Sequence, residues 1–321
     1  MRNATATLAR SITRNSSKQS YLIARWLVDK DLVDDCLRAY AYFRWADDVI
    51  DVSVQSPEER IAFIKRQKRL VDSLYVGDRP DDLIPQEEII ADLIKHDRRE
   101  NSGLQSFIRR FLDVLEFDAG RKGRPISQAE LTWYSSCLGV AVTDAIQYFI
   151  GNDHSYQAGE YHYYAATAAH MTHMLRDMSE DLTDGFVNIA SEWLEVHDLE
   201  THDLTLQDVE SPVIRAYVRD QVELARKYFF KGKVYIEDLD VLRCKLAASW
   251  YCARFECVLD AIVRDGYILR PNYNERRRLS TRLKIGRLGV SLTLKHFFRR
   301  KRRTSWNAST VSNLETTTTG H

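Results

Sequence analysis

The distribution of proline constrains the fold of this sequence more than any other feature, because proline interrupts both helices and sheets. Only six prolines occur in 321 residues, and residues 126–211 contain none. Thirteen glycines add few further turn signals. Long uninterrupted helices accommodate this pattern, whereas turn-rich β structure does not. The sequence therefore predicts an all-α protein.

The composition is typical of a globular protein with a sizeable core. Hydrophobic residues make up 44% of the chain and aromatic residues 11%, which is enough to fill such a core at this length. The five cysteines form no CxxC pair and are odd in number, so neither a disulfide framework nor a zinc cluster is indicated. A reducing, cytoplasmic location is expected. No apolar run reaches the roughly 18 residues that a membrane-spanning helix needs.

Apolar residues recur at helical spacing along most of the chain. They predict two helical segments between residues 21 and 54, and further helices at 57–75, 87–95, 104–116, 128–150, 156–180, 212–230, 239–265 and 277–298. We expect an N-terminal extension over residues 1–16, one domain over 17–290, and a basic segment with a disordered tail over 291–321. The acid-free N-terminal residues are compatible with organelle targeting and equally with a helix that leads into the fold.

A first acidic cluster lies in the segment "AYAYFRWADDVID", residues 39–51. Asp47, Asp48 and Asp51 interrupt a run of aromatic and aliphatic side chains that otherwise suits a buried helix. Acids at such positions have two interpretations: they mark the solvated edge of the helix, or they hold a positively charged ligand. Taken alone, the segment favours the solvated edge, since acid-rich helix ends are common.

A second acidic cluster, "HMLRDMSEDLTDG" at residues 173–185, repeats the pattern. Asp177 and Asp181 stand four residues apart, and on an α-helix such residues face the same side. Like charges at this spacing repel, and oxygen-only clusters suit Mg²⁺, which takes one or two carboxylates together with substrate phosphates. An arginine, Arg44 or Arg176, accompanies each cluster. Together the clusters predict metal-binding carboxylates at the mouth of a dry cavity.

These motifs resemble those of the squalene and phytoene synthase family, and the resemblance covers the chain from about Ser17 to Leu288. "SYLIARWL" and "RAYAYFRWADDVID" are similar to the opening helices and the first aspartate motif, DDxxD. "LRDMSEDLTDGFVNI" is similar to the second aspartate motif. "WYSSCLGVAV" and "FECVLDAIVRDGYILRPNY" resemble the tyrosine-led helix and the segment that closes the pocket.

The resemblance implies an isoprenoid synthase fold, a single helical bundle around an apolar cavity, and a prenyltransferase that joins two prenyl diphosphates head to head with Mg²⁺. It implies metal ligands at Asp47, Asp48, Asp51, Asp177 and Asp181, and catalytic roles for Asp47, Asp51, Asp177, Asp181, Tyr40 and Tyr134. It implies substrate binding by Ser20, Arg44, Arg176, Phe255 and Arg270. NADPH use stays open, because the family's NADPH users also lack a glycine-rich dinucleotide fingerprint.

The sequence departs from the family pattern at two places. Val33 and Asp34 stand where a diphosphate-binding arginine is expected. His170 and His173 stand where glutamine and asparagine are usual, and they favour hydrogen-bonding roles over metal ligation. Loss of one diphosphate site would suit a class I terpene synthase that cyclises a single prenyl diphosphate. A non-catalytic assembly factor of the same fold is a further alternative, but such a protein tends to lose the acidic motifs.

The C-terminal part of the chain concentrates positive charge. The protein has 46 basic and 46 acidic residues, but residues 276–303 carry twelve Lys and Arg and no acid. The segment "LGVSLTLKHFFRRKRR" joins apolar residues to basic ones, which suits peripheral contact with an anionic membrane surface. A solvated tail is the alternative interpretation. Nothing in the sequence favours nucleic acid as a partner.

Overall fold

A computed structural model of the chain describes residues 2–53, 56–97, 99–200, 204, 210–275 and 278–315. For residues 2, 3, 19, 52, 53 and 299–315 it describes the backbone alone. In this part of the chain there are twelve α-helices, one isolated β-bridge between Ile126 and Ala190, and no strand. The prediction of an all-α protein is confirmed.

The helices follow one another with short connections. They are α1 (Arg2–Ser16), α2 (Lys18–Leu27), α3 (Val33–Asp48), α4 (Pro57–Tyr75), α5 (Pro85–His96), α6 (Gly103–Arg121), α7 (Gln128–Phe149), α8 (Tyr164–Thr183), α9 (Ser191–Val196), α10 (Pro212–Asp238), α11 (Leu242–Arg264) and α12 (Leu279–Glu315). A π-helical turn, Val49–Ser53, continues α3.

Serine residues define where many of these helices begin. Their hydroxyl groups accept a hydrogen bond from a backbone N–H of the first turn, which stabilises a helix by about 1 kcal/mol. The capping serines are Ser17, Ser56, Ser102, Ser127 and Ser211. Proline at the first position of α4 and α10 adds a backbone that is already in helical conformation.

The largest differences between predicted and observed helix boundaries concern three helices. Helix α8 begins at Tyr164 and not at residue 156, because the preceding aromatic residues form turns, with His162 N–H bonded to the Gly159 carbonyl at 3.1 Å. Helix α10 runs on to Asp238. Helix α12 continues to Glu315, through most of the segment expected to be a tail, and residues 316–321 lie outside the described residues.

Helix α8 is central to the bundle. It packs between α7, α10 and α11, while α6 covers α7 and α12 covers α11. Helix α3 packs against α5 and against the N-terminal helix α1, so the first residues of the chain are built into the bundle. One continuous apolar core joins these layers. The carboxyl ends of α3, α6 and α8, which carry the acidic residues, therefore belong to one packed bundle.

A buried polar network fixes the position of α3. The Tyr42 hydroxyl donates to Gln67 Oε1 at 2.9 Å, and Gln67 Nε2 donates to Glu87 Oε1 at 2.8 Å. The Arg66 guanidinium contacts both oxygens of Glu87, at 2.6 and 3.1 Å. Tyr42, Gln67 and Glu87 are buried and satisfied, so the network specifies how α3 sits on α4 and α5.

Gly232 allows a close helix contact between α10 and α8. A Cβ atom at this position would lie 2.4 Å from the backbone nitrogen of Ala165, and a backbone atom cannot move aside as a flexible side chain can. We expect Gly232→Ala to lower the free energy of unfolding by about 1–3 kcal/mol, as overpacking typically does. Chemical denaturation would measure the change.

Gly286 in α12 is the matched control for this substitution. A Cβ atom there meets nothing within 4 Å, so Gly286→Ala should leave stability unchanged or raise it by up to about 1 kcal/mol through helix propensity. Equal denaturation midpoints for the two variants would contradict the proposed clash.

Candidate active site

The two acidic motifs lie at the carboxyl ends of α3 and α8. Asp47 and Asp48 close α3, whereas Asp51 lies on the π-helical turn and is exposed. The α-helical spacing predicted for Asp47 and Asp51 is therefore altered, because the wider turn shifts the register after Asp48. Asp177 and Asp181 both lie on α8, as predicted, and are partly buried. Single π-helical turns occur frequently at functional sites.

The electrostatic field of Asp118 links the two motifs. Burial, followed by the charge of Asp51, raises the pKa of Asp47 to about 6, and Asp118 adds to this effect. Burial, followed by the charge of Asp177, raises the pKa of Asp181 to about 7, and Asp118 again contributes. Both motifs thus face the carboxylate at the end of α6. Their mutual repulsion would be relieved by a bound cation.

Cationic side chains already contact both motifs. The Arg44 guanidinium donates to Asp47 at 3.0 Å and also to Asp48. Arg176 donates to Asp177 through Nε at 2.6 Å, and His173 Nδ1 lies 3.3 Å from the same carboxylate. Arginine binds carboxylates and phosphates alike through paired hydrogen bonds, so Arg44 and Arg176 are also suited to a diphosphate.

A chain of hydrogen bonds connects Tyr134 of α7 to the second motif. The Tyr134 hydroxyl donates to Asp118 at 3.0 Å, and Arg121 Nε donates to the other Asp118 oxygen at 2.7 Å. Arg121 also donates to Asn188 Oδ1 at 2.9 Å, and Asn188 Nδ2 donates to Asp181 at 2.6 Å. This chain fixes the orientation of the Asp181 carboxylate from three separate elements.

Three members of this chain of hydrogen bonds, Asp118, Arg121 and Asn188, were not predicted from the sequence. The signals were present but weak: Asp118 and Arg121 lie three residues apart in the apolar segment "LEFDAGR", and Asn188 follows the second motif in "GFVNI". Neither segment shows that its polar residues meet. Their contact depends on the packing of α6 beside α7 and α8.

His170 contributes a neutral ring to the site. Burial lowers its pKa to about 3, and its ring meets the Tyr134 ring edge-on with centroids 4.7 Å apart. Among the described residues its Nδ1 atom has no hydrogen-bond partner. The Arg121 guanidinium also lies over the Tyr134 ring, 5.0 Å from its centroid. Tyr134 therefore combines a bonded hydroxyl with a fixed aromatic face.

An apolar cavity of about 410 Å³ lies inside the bundle, beside the part of α3 that precedes the first motif. Tyr40 lines it one helical turn before Arg44, and Ser20 of α2 lines it as well. The other walls are mainly Ile, Leu, Val, Ala and Phe side chains from α2, α3 and α7, with Trp250 and Arg254 from α11. The volume lies within the usual range for small-molecule sites.

The remaining predicted residues lie apart from the carboxylates. Phe255 packs beside His173, with ring centroids 6.4 Å apart. Arg270 is bound by Asp265 and by Glu275, the latter at 2.9 Å, in the segment after α11. Its guanidinium is thus engaged in a local ion-pair network and not by either acidic motif.

Val33 and Asp34, which replace the arginine expected from the family pattern, begin α3. Asp34 accepts two hydrogen bonds from Arg10 of α1, at 2.7 and 3.1 Å, and Val33 packs against the core. An anionic side chain bound in this way contributes no diphosphate contact.

The donor set fits a magnesium site that the substrate completes. Among the described residues, no group of three Asp, Glu, His or Cys side chains is arranged to hold an ion by itself. Mg²⁺ does not require such a group, because it is commonly held by one or two carboxylates with phosphate oxygens and water. Two carboxylate motifs that both feel the charge of Asp118, in which burial and acidic neighbours keep the pKa of Asp47 and Asp181 raised, meet this requirement.

Comparison with known proteins identifies the family. The family model for squalene/phytoene synthases matches residues 13–287. The squalene synthase HpnC from Alicyclobacillus acidocaldarius has a similar fold, with a TM-score of 0.64 and 18% identity over 83% of this chain and 95% of that chain. A dehydrosqualene synthase in complex with ligand gives a TM-score of 0.64 and 16% identity over 91% and 97%. No curated protein sequence matched. The chain therefore belongs to the squalene/phytoene synthase family of prenyltransferases.

Proposed function

We propose that this protein joins two prenyl diphosphates head to head and depends on Mg²⁺. The observation that carries the proposal is the pair of acidic motifs, coupled through Asp118, together with an apolar cavity of about 410 Å³ that Tyr40 lines on the same helix as Asp47. Carboxylates suit the metal, adjacent arginines suit the diphosphate, and the cavity suits the prenyl chain.

Each group of residues has a distinct task in this mechanism. Asp47, Asp48 and Asp51 on one side, with Asp177 and Asp181 on the other, would hold the ions. Magnesium bound there would neutralise the negative charge that develops as a diphosphate leaves. Arg44 and Arg176 lie beside the same carboxylates and would bind the diphosphate oxygens. Such preorganised charges act most strongly where water is excluded.

The carbon chemistry needs a dry, aromatic environment. The first diphosphate leaves with the electron pair of its C–O bond, and the double bond of the second substrate supplies the pair that forms the new C–C bond. Loss of one proton gives a cyclopropyl diphosphate, which ionises again and rearranges. The resulting cation is quenched either by loss of a proton or by hydride from NADPH. The faces of Tyr40 and Tyr134 would stabilise these cations.

A single-substrate cyclase is the second candidate function. The observation in its favour is the Asp34–Arg10 ion pair at the position where the family pattern has a diphosphate-binding arginine. With one diphosphate contact fewer, the site would ionise and cyclise one substrate. The intact acidic motifs argue against a non-catalytic assembly factor, because that role requires no pair of converging carboxylate clusters.

Release of diphosphate tests the proposed function. Purified protein with Mg²⁺ and farnesyl diphosphate should release inorganic diphosphate, and excess EDTA should abolish the release. Parallel incubations with geranyl and geranylgeranyl diphosphate, with and without NADPH, would identify the substrate class and the quenching step. Release that continues in EDTA would refute the metal dependence, and absence of release with every substrate would refute the enzyme.

We also propose peripheral membrane contact through α12. Its apolar residues Leu283, Val290, Leu294 and Phe297 are more than half exposed and recur along one side of the helix, with Lys and Arg between them. Each basic residue contributes about 1 kcal/mol near an anionic bilayer. No helix in the described part of the chain combines the length and apolar character needed to cross a membrane. The contact would therefore lie in the membrane surface.

Flotation with liposomes measures this contact. The protein should float with vesicles that contain phosphatidylserine and stay in solution with pure phosphatidylcholine. Phe297→Glu should reduce the fraction of protein bound to the vesicles at least about fivefold. The substitution places a negative charge, which the anionic lipid repels, among the exposed apolar side chains of α12. Val76→Glu changes an apolar residue at the end of α4 that is even more exposed than Phe297, and it serves as the control. Equal flotation of the two variants would contradict the assignment to α12.

A further inference from the structure

Two cavities meet inside the bundle, and two side chains separate them. The main cavity extends from Tyr40 into the bundle, and a second cavity of about 30 Å³ lies between α7, α8, α10 and α11. Of the residues that the structure describes, Ile146 and Tyr251 alone line both cavities. Their side chains are therefore the partition between the prenyl cavity and the small cavity.

The small cavity has a rigid polar wall on its far side. His162 Nε2 lies 2.9 Å from Gln147 Oε1, and Gln147 Nε2 donates to the Tyr235 hydroxyl at 2.9 Å. The Tyr235 hydroxyl in turn donates to the Gln157 carbonyl at 3.0 Å. These bonds hold the polar wall in place. The space available to a ligand at this point therefore depends on the size of the two partition side chains.

Tyr251 is the larger and more rigid member of the partition. Its ring packs edge-on against Phe255, with centroids 5.0 Å apart, and this contact restricts rotation of the ring. Ile146 faces it from α7 and is branched at Cβ, which restricts its side chain to few rotamers. A prenyl tail that reaches these side chains from the main cavity has no space to continue.

We propose that Tyr251 and Ile146 limit the length of the prenyl chain that the protein accepts. The proposal rests on the proposed function, since it assumes that the main cavity holds a prenyl tail whose diphosphate lies at the acidic motifs. The partition specifies the substrate class by steric exclusion. Removing one side chain would join the two cavities and admit a tail that is longer by one isoprene unit.

The test compares farnesyl with geranylgeranyl diphosphate in three proteins. Tyr251→Ala should raise the ratio of kcat/KM for the longer over the shorter substrate at least about tenfold, because even one methylene group in a fitted pocket changes selectivity by about this factor. Tyr251→Phe keeps the ring and should leave the ratio within about twofold of the wild-type value. An unchanged ratio in an active Tyr251→Ala enzyme would overturn the proposal.

Two further measurements separate this proposal from others. Ile146→Ala removes less volume and should also raise the ratio of kcat/KM for the longer over the shorter substrate. This variant tests the partition if Tyr251→Ala does not fold. Calorimetry with the unreactive thiolodiphosphate analogues of both substrates measures the same selectivity as a ratio of Kd values. If the wild-type protein releases no diphosphate, the proposed function fails, and the Kd ratio still shows whether the partition selects for length. Equal Kd ratios in the wild-type protein and both alanine variants would overturn the partition.

Discussion

Replacing Asp47 or Asp177 by alanine is expected to lower kcat for diphosphate release at least about 10³-fold, the cost of removing one preorganised charge-stabilising group from an active site. Each substitution removes a carboxylate from one acidic motif, so the ions that neutralise the leaving diphosphate would be held from one side only. The rate of inorganic diphosphate release under saturating Mg²⁺ measures the effect.

Neither substitution should unfold the protein. The Asp47 side chain is 40% exposed, and repulsion from its acidic neighbours contributes to its raised pKa, so its removal relieves strain within the motif. The thermal midpoint of Asp47→Ala should therefore stay equal or rise, whereas Asp177→Ala also removes the hydrogen bonds from Arg176 and should lower the midpoint without unfolding the protein. Asp72→Ala removes an exposed carboxylate that pairs with Arg109 on another surface, and it should leave kcat unchanged. Retention of more than a tenth of the wild-type kcat by both motif variants would contradict the metal assignment.

Arg121→Met should destabilise the protein by about 3–5 kcal/mol, the usual effect of breaking a buried ion pair by removing one partner. The Arg121 side chain is 6% exposed and is bound to Asp118 at 2.7 Å, so its loss leaves a largely buried carboxylate that keeps the hydrogen bond from the Tyr134 hydroxyl but has lost its cationic partner. Because Arg121 also orients Asn188, and Asn188 orients Asp181, activity should fall as well. Chemical denaturation measures the stability.

A second substitution separates charge burial from loss of packing. The double variant Arg121→Met with Asp118→Asn has no unpaired carboxylate at position 118. It should therefore recover most of the stability that Arg121→Met alone loses. Arg109→Met breaks an exposed ion pair with Asp72 and should change stability by less than about 1 kcal/mol. An Arg121→Met effect no larger than that of Arg109→Met would show that the Asp118–Arg121 pair does not stabilise the site.

The sequence predicted the features that depend on local pattern. Helix α4 begins and ends at the predicted residues, because Ser56 and Pro57 are strong start signals, and the long proline-free stretch contains α7 and α8. The Asp177–Asp181 spacing was also correct, since an unbroken α-helix carries both residues.

The features that sequence reasoning missed depend on distant contacts or on irregular backbone. The π-helical turn at Asp51 has no clear sequence signal, because its stability depends on the packing of α3 against its neighbours. Asp118 and Asn188 lie seventy positions apart along the chain and meet only through Arg121. Substrate binding by Arg270 stays a prediction, and what the sequence did not show is that its guanidinium pairs with Asp265 and Glu275.

Head-to-head coupling is tested most directly with an equal mixture of unlabelled and fully deuterated farnesyl diphosphate. If the protein joins two substrates, mass spectrometry of the hydrocarbon product should show light, heavy and mixed species with a doubled carbon count, and the mixed species should be the most abundant. A product that retains the carbon count of one substrate, with only light and heavy species, would contradict the coupling and identify a single-substrate cyclase.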